Sequence, residues 1–310
     1  MNIIQLARFT EDEARNYLES LRWPDGTVCP HCECRNVTKM EGEKHRTGAY
    51  QCNNSDCRQQ FAVTVGTVLE SSKVSLVNWL MAFHLICSSK KGFSALQLQR
   101  ELHLGSYKTA WFMNHRIRYA MATGEGIEPL KNIVEVDEVY IGGKPRHGGP
   151  PSKRGRGTEK TPVAVFVERD GNVHCRPVER VDAATLKGEI HKFVDSKAAI
   201  MTDEWRSYAG IGIEFEGGHR VVCYKNKEYA RTDADGVHVH NNTAESFNAL
   251  IKRGHYGVYH QMSKKHLHRY CAEFGFRWDH RKVSDHERME AAIMGISGKR
   301  LLYETPQTTA

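Results

Sequence analysis

Five of the nine cysteines lie between positions 29 and 57, and this clustering constrains the first quarter of the chain more than any other feature. Cys29-Pro-His-Cys32 is a C-x-x-C knuckle, and Cys52 with Cys57 makes a second close pair twenty positions on. Two such pairs, joined by a span that can fold back as a hairpin, suit one tetrahedral Zn²⁺ held by four thiolates. A module this small cannot build a sufficient core, so the ion would be structural and the fold would depend on it. Cys34 and His31 stand close enough to compete as ligands. Cys87, Cys175, Cys223 and Cys271 are isolated and read as small hydrophobes. An odd cysteine count and a tight cluster argue against a disulfide framework and for a reducing compartment.

Residues 1–26 read as an N-terminal helix, because Thr10 and Glu13 form a capping box and Pro24-Asp25-Gly26 supplies a turn. The zinc module spans 27–72 and includes FAVTVGTVL, whose composition suggests a strand. Residues 73–123 read as helices: SLVNWLMAFHLIC, then two more joined by Leu104-Gly105, with Ser94 and Ser106 as N-caps. Two short helices about a glycine turn are compatible with a helix-turn-helix that binds DNA. In that reading Tyr107, Lys108 and Asn114 face bases, and Arg116 and Arg118 lie near phosphates.

From 130 to 285 the pattern is α/β. IVEVDEVYIG is a strand, the segments flanking Asp170-Gly171 form a hairpin, DAATLKGEIHKFVDS is a helix, and KAAIMTDEW holds another strand. Helices are expected from Thr243 to about Arg253 and over HLHRYCAEFGFRWDHR, and residues 286–310 read as a C-terminal tail. A net charge of +7 favours polyanionic partners. It is concentrated in the Gly- and Pro-rich loop carrying Lys144, Arg146, Lys153, Arg154, Arg156 and Lys160, and in a run from Lys252 and Arg253 to Arg269. No run of 18 apolar residues exists, so no membrane span is expected. The N-terminal stretch has no signal-peptide pattern, which points to the cytoplasm.

Asp137 sits mid-strand among apolar residues, where an ionised carboxylate needs compensation, and a metal ion supplies it. Asp203 follows AAIM at the carboxyl end of another strand, where α/β sites gather. A third acid is needed to hold a pair of Mg²⁺ ions. Glu245 suits, at the start of a helix with Lys252 about two turns on along the same face. Competing readings stand beside each: Asp203 as a turn residue, Glu245 as the partner of an Asn242 N-cap, and Glu135 or Glu204 as rival ligands.

The order of these motifs resembles the bacterial insertion-sequence transposases with an N-terminal zinc ribbon and an ISXO-like DDE domain. It is carried by the C-x-x-C ribbon, VEVDEVYIGGK, MTDEWRSY and HNNTAESFNALIKRGHYGVYHQMSKKHLHRYCAEFGFRW. The resemblance implies an RNase H-like catalytic domain, a mixed sheet with flanking helices, preceded by a zinc ribbon and a helix-turn-helix-like segment. It places the catalytic acids on Asp137, Asp203 and Glu245, the basic residue on Lys252, and the zinc ligands on Cys29, Cys32, Cys52 and Cys57. The second knuckle, C-x₄-C, departs from the more usual C-x₂-C.

It further implies two Mg²⁺ or Mn²⁺ ions, one structural Zn²⁺, and double-stranded DNA, both transposon ends and target, as partner. A homodimer or larger multimer would hold the ends, in a bacterial cytoplasm beside the nucleoid. Lys108, Asn114, Arg116, Lys153, Arg154, Arg156 and Arg253 are the expected DNA contacts. Two rivals keep the sequence motifs but change the role: a DNA-binding regulator with an inactive catalytic domain, and a metal-dependent nuclease of the same fold.

Overall fold

The computed structural model of the chain describes residues 1–42, 44–122, 128–143 and 158–302. They fall into two compact units, one built from residues 1–122 and 283–310, the other from 123–282. Lys153, Arg154 and Arg156, expected to hold DNA, lie outside the described residues, as do Lys144 and Arg146.

In the first unit, α1 (Ile3–Ala7) and α2 (Glu11–Arg22) are each started by a capping box, the second made by Thr10 and Glu13. The single N-terminal helix expected over 1–26 is therefore two, divided at Arg8–Thr10. Strands β1 (Val37–Lys39), β2 (Tyr50–Cys52) and β3 (Gln60–Phe61) form a three-stranded antiparallel sheet. The apolar run 61–69 is a strand only at its first residue; beyond it the chain turns, with Gly66 at φ +70°. Val63, Val68 and Leu69 are buried there, so the apolar composition reflects packing of an irregular segment and not strand pairing.

Helices α3 (Leu76–Ser88), α4 (Ala95–Glu101) and α5 (Tyr107–Met121) start at Ser75, Ser94 and Ser106, each side chain accepting a backbone N–H of the first turn. Glu11 adds a second tie, accepting from the amides of Leu76 and Val77 at 3.0 and 3.2 Å. Residues read as a tail instead form α9 (Asp285–Met294), which packs on α3 and α2. Its Met289, Ala292 and Ile293 are buried at i, i+3 and i+4, a helical stripe short enough to escape notice beside the charges around it.

The second unit is a five-stranded mixed sheet with helices. It contains β4 (Ile133–Ile141), β5 (Thr161–Glu168), β6 (Val173–Pro177), β7 (Ala199–Asp203) and β8 (His219–Val222), in the spatial order β6-β5-β4-β7-β8. β5 runs antiparallel to both β4 and β6; β7 and β8 run parallel to β4. Counting strands within this unit, that is the 3-2-1-4-5 order of an RNase H-like domain.

Two apolar layers sandwich the sheet. Val134, Val136, Ala164 and Phe166 meet Leu186 and Ile190 of α6 (Ala183–Phe193) on one face. Val139, Ile141, Val163 and Val165 meet Phe247 and Ile251 of α7 (Asn242–Gly254) and Phe274 of α8 (Leu267–Asp279) on the other. Strand alternation sends neighbours on β4 to opposite layers. Gly217 lets a loop press on the start of β7: a Cβ there would sit 2.5 Å from the Ala199 nitrogen. A hairpin of β9 (Ala230–Thr232) and β10 (His238–His240) leads into α7.

Candidate active site and metal centre

The central pair of parallel strands brings two aspartates together. Ile133 pairs with Ala199, Val134 with Ile200 and Glu135 with Met201; continued two places, that register sets Asp137 beside Asp203. Both then project to the α7 side of the sheet. Asp137 Oδ1 accepts from the Glu138 amide at 2.8 Å, and its Oδ2 accepts from Nδ2 of Asn248 at 2.8 Å. Burial pushes the Asp137 carboxyl up to about 7, and the negative charges of Glu138, Asp203 and Glu245 push it the same way. Asp203 accepts from the Trp205 amide at 3.0 Å, a turn bond.

Helix α7 carries Glu245, the acid expected as the third. Ala244, Phe247, Asn248, Ile251 and Gly254 are its buried stripe, while Glu245 and Lys252 are exposed beside it. The capping-box reading of Glu245 fails: the N-cap is Asn241, whose side chain makes no cap bond but donates to the Val136 carbonyl at 3.1 Å. The cap comes from across the sheet. Glu135, fully buried, accepts from the amides of Thr243 and Ala244 at 2.7 and 3.0 Å and from the Thr243 hydroxyl at 2.9 Å.

Arg169 Nε donates to the same carboxylate at 2.7 Å, and His240 Nδ1 lies 3.1 Å from it. Glu135 is therefore the anchor of α7 and not a rival metal ligand. Glu204, the other rival, accepts from the Tyr224 amide at 3.0 Å. On the α6 side, Tyr208 donates to Glu138 at 2.5 Å, and burial raises its phenol well above the usual range. The Tyr224 phenol is raised too, by burial and then by its neighbour Glu245.

The cysteine centre is compact. The sulfurs of Cys29, Cys32, Cys52 and Cys57 all lie within 4.8 Å of one another, the one group of three or more candidate ligands so gathered among the described residues. The three carboxylates do not form such a group. The Cys34 amide points at the Cys32 sulfur and pulls that thiol down. The amides of Asn54 and Gln59 are also aimed at Cys52 and Cys57, but burial pushes the Cys52 thiol up to about 12 and the Cys57 thiol is raised as well. Backbone N–H groups turned on sulfur stabilise thiolates, which is what a four-thiolate site requires. The Cys34 sulfur stands apart and accepts from the Asn36 amide at 3.4 Å. Trp23, Tyr50 and Phe61 close the cluster on its inner side.

The expected DNA contacts of α5 divide. Lys108 and Tyr107 are exposed on its first turn. Asn114 is 1% exposed, and its amide donates to the Phe93 carbonyl at 3.1 Å. Arg116 is buried with its guanidinium 4.6 Å from the centre of the Phe112 ring, and Arg118 is buried as well. All three are buried in a stretch of α5 that is covered on every side from Met113 to Arg118, which withdraws them from an exposed face. Arg253 is exposed on α7. The sequence reading missed Asn248 altogether. The signal was available: three residues after Glu245 and four before Lys252, it shares their stripe.

Comparison with known proteins bears on both centres. The family model of the ISXO2-like transposase domain matches residues 129–279, and that of the transposase zinc-ribbon domain matches residues 9–60. An uncharacterized protein in transposable element ISH50 of Halobacterium salinarum is 30% identical over 284 residues, covering 86% of this chain and 90% of that one. The chain belongs to the ISXO2-like transposase family.

In this transposase the DDE match lies within the second unit, and the ribbon match begins just before α2, earlier than the cysteines alone suggest. Two Mos1 transposase structures also match. The strand transfer complex is 12% identical with a TM-score of 0.29, and the paired-end complex with left transposon end is 14% identical with a TM-score of 0.28. Each alignment covers 70% of this chain and 74% of the other. Among the described residues, no helix is long and apolar enough to cross a membrane.

Proposed function

We propose that this transposase cuts the ends of its element and joins them to target DNA at one site, with Asp137, Asp203 and Glu245 as the ligands of Mg²⁺ or Mn²⁺. The observation that carries the reading is the β4–β7 register. It sets two aspartates side by side on the face where α7 presents Glu245 and Lys252. The donor set fits hard divalent cations, being all carboxylate oxygen, with the charges of Asp203 and Glu245 both acting on Asp137. Two such ions would be held by these three acids. When bound, such a pair neutralises charge on the attacking and leaving oxygens of an in-line displacement.

The chain's own groups do the positioning. Glu135 fixes the start of α7, which sets where Glu245 stands; Lys252, seven residues on, offers an ammonium to a DNA phosphate. The first reaction hydrolyses a phosphodiester, breaking its P–O3′ bond and freeing a 3′-hydroxyl. In the second, that hydroxyl attacks a target phosphodiester, a new P–O bond forms, and the target 3′-oxygen leaves. No covalent protein intermediate is needed. Cys29, Cys32, Cys52 and Cys57 hold one structural Zn²⁺, and the ribbon with the exposed start of α5 recognises terminal inverted repeats. Arg253 and the basic loop 144–160 hold backbone phosphates without reading sequence. A multimer brings the two ends together.

The test uses purified protein, Mg²⁺ and labelled DNA from both flanks of its reading frame, with Glu245→Gln alongside. Cleavage at a repeat boundary and joining to a plasmid, lost in Glu245→Gln, is the expected result. Hydrolysed ends that are never joined would reduce the protein to a nuclease. Specific binding without cleavage would make it a regulator.

A further inference from the structure

Asn248 touches the proposed ligand set without belonging to it. It is 4% exposed, on the α7 stripe between Glu245 and Lys252, and its Nδ2 donates to Asp137 Oδ2 at 2.8 Å. A carboxylate only accepts, so the amide nitrogen is the atom that must face it. The other carboxylate oxygen, Oδ1, is held by the Glu138 amide at 2.8 Å. Each Asp137 oxygen therefore carries one fixed hydrogen bond, one from its own strand and one from the helix that bears Glu245. This bracing leaves a lone pair on each oxygen with a set direction. The carbonyl oxygen of Asn248 is buried and has no hydrogen-bond partner among the described residues. A buried acceptor without a partner is costly.

We infer that Asn248 is a positioning residue for the divalent ions: it orients the Asp137 carboxylate and locks α7, and so Glu245, to β4 at the distance the ions require. The inference rests on the reading of Asp137 as a metal ligand. Partners that orient a ligand in this way typically contribute about 10–100-fold to metal affinity.

The experiment is calorimetric titration of Mn²⁺ into the full chain with its zinc in place, for wild type, Asn248→Ala, Asn248→Ser and Asp137→Asn, with melting temperatures recorded. Asn248→Ala is expected to weaken Mn²⁺ by about 10–100-fold. Affinity for flank DNA without divalent metal should stay within about twofold, and saturating Mn²⁺ should restore cleavage, because the reacting groups are intact. If Asn248→Ala does not fold, Asn248→Ser, too short to span to Asp137, carries the same expectation. Wild-type Mn²⁺ affinity in a folded Asn248 variant would overturn the inference while leaving Asp137 as a ligand. Wild-type affinity in Asp137→Asn would overturn the ligand reading, and the inference with it.

Discussion

Replacing Glu135 by Gln should loosen α7 without emptying the core around it. The carboxylate is fully buried and serves four donors, two first-turn amides and the Thr243 hydroxyl of α7 and the Arg169 guanidinium, with the His240 ring 3.1 Å away. Breaking a buried ion pair by removing one partner costs about 3–5 kcal/mol. Arg169 is 16% exposed and also donates to the His238 and His240 carbonyls, so it is not stranded, and the lower end applies. A Gln carbonyl oxygen in the place of Oε2 can still accept both amide bonds, but without charge assistance, and its NH2 group then faces the Arg169 guanidinium as donor against donor. A loss of about 3 kcal/mol in the local stability of the α7 start corresponds to roughly 100-fold in an equilibrium constant, at 1.4 kcal/mol per tenfold.

Hydrogen-exchange mass spectrometry on peptides spanning α7 reads this directly. Their amides should exchange about 100-fold faster in Glu135→Gln, while α6 on the opposite face of the sheet stays near wild type. Arg169→Leu should give a smaller increase, and the double variant should fall short of the sum because the two act through one contact. Exchange of α7 unchanged in Glu135→Gln would refute the claim that this carboxylate is its cap.

Native mass spectrometry should find one zinc per chain, lost in Cys57→Ser and kept in Cys34→Ser, whose sulfur stands outside the cluster. Chelation should change the near-ultraviolet circular dichroism of Trp23, Tyr50 and Phe61, which pack on the ligands. Asp137 gives a pH dependence of definite sign. Its folded pKa, about 7, lies above the ordinary 3.8, so its contribution to metal-free stability is full below 3.8 and lost as pH rises through 7. Urea titrations of the metal-free protein should show this decline, at up to about 1.4 kcal/mol per pH unit, and Asp137→Asn should abolish it. Mn²⁺ should correspondingly bind more tightly as pH rises from 6 to 8, since the ion must displace that proton.

Much of the second unit could be read from the sequence because its elements are local. Strand alternation in IVEVDEVYI, the turn at Asp170-Gly171 and the apolar spacing of α7 all appear within a few residues. Asp137 was conspicuous because a carboxylate interrupts an apolar strand. What stayed hidden depends on contacts far apart in the chain. Glu135 and Asp137 look alike on β4, and only the packing of Thr243 and Ala244 against Glu135 separates an anchor from a ligand. Asn114 and Arg116 are polar residues on a helix that reads as exposed; Phe93 and Phe112 cover them. The helix α9 was taken for a tail because its buried stripe is three residues wide in a charged segment, and its partner α3 is some two hundred positions away. The run 61–69 misled in the opposite sense, since apolar composition signals burial and not a particular backbone.

The central claim is that one carboxylate cluster serves both cutting and joining. The direct measurement offers the protein a pre-cut transposon end, with either a 3′-hydroxyl or a 3′-deoxy terminus, together with a target plasmid and Mg²⁺. Joining of the hydroxyl end alone, absent with the deoxy end and abolished by Asp137→Asn, Asp203→Asn and Glu245→Gln alike, is the predicted result. Joining that survives loss of any one of the three acids would contradict the shared site.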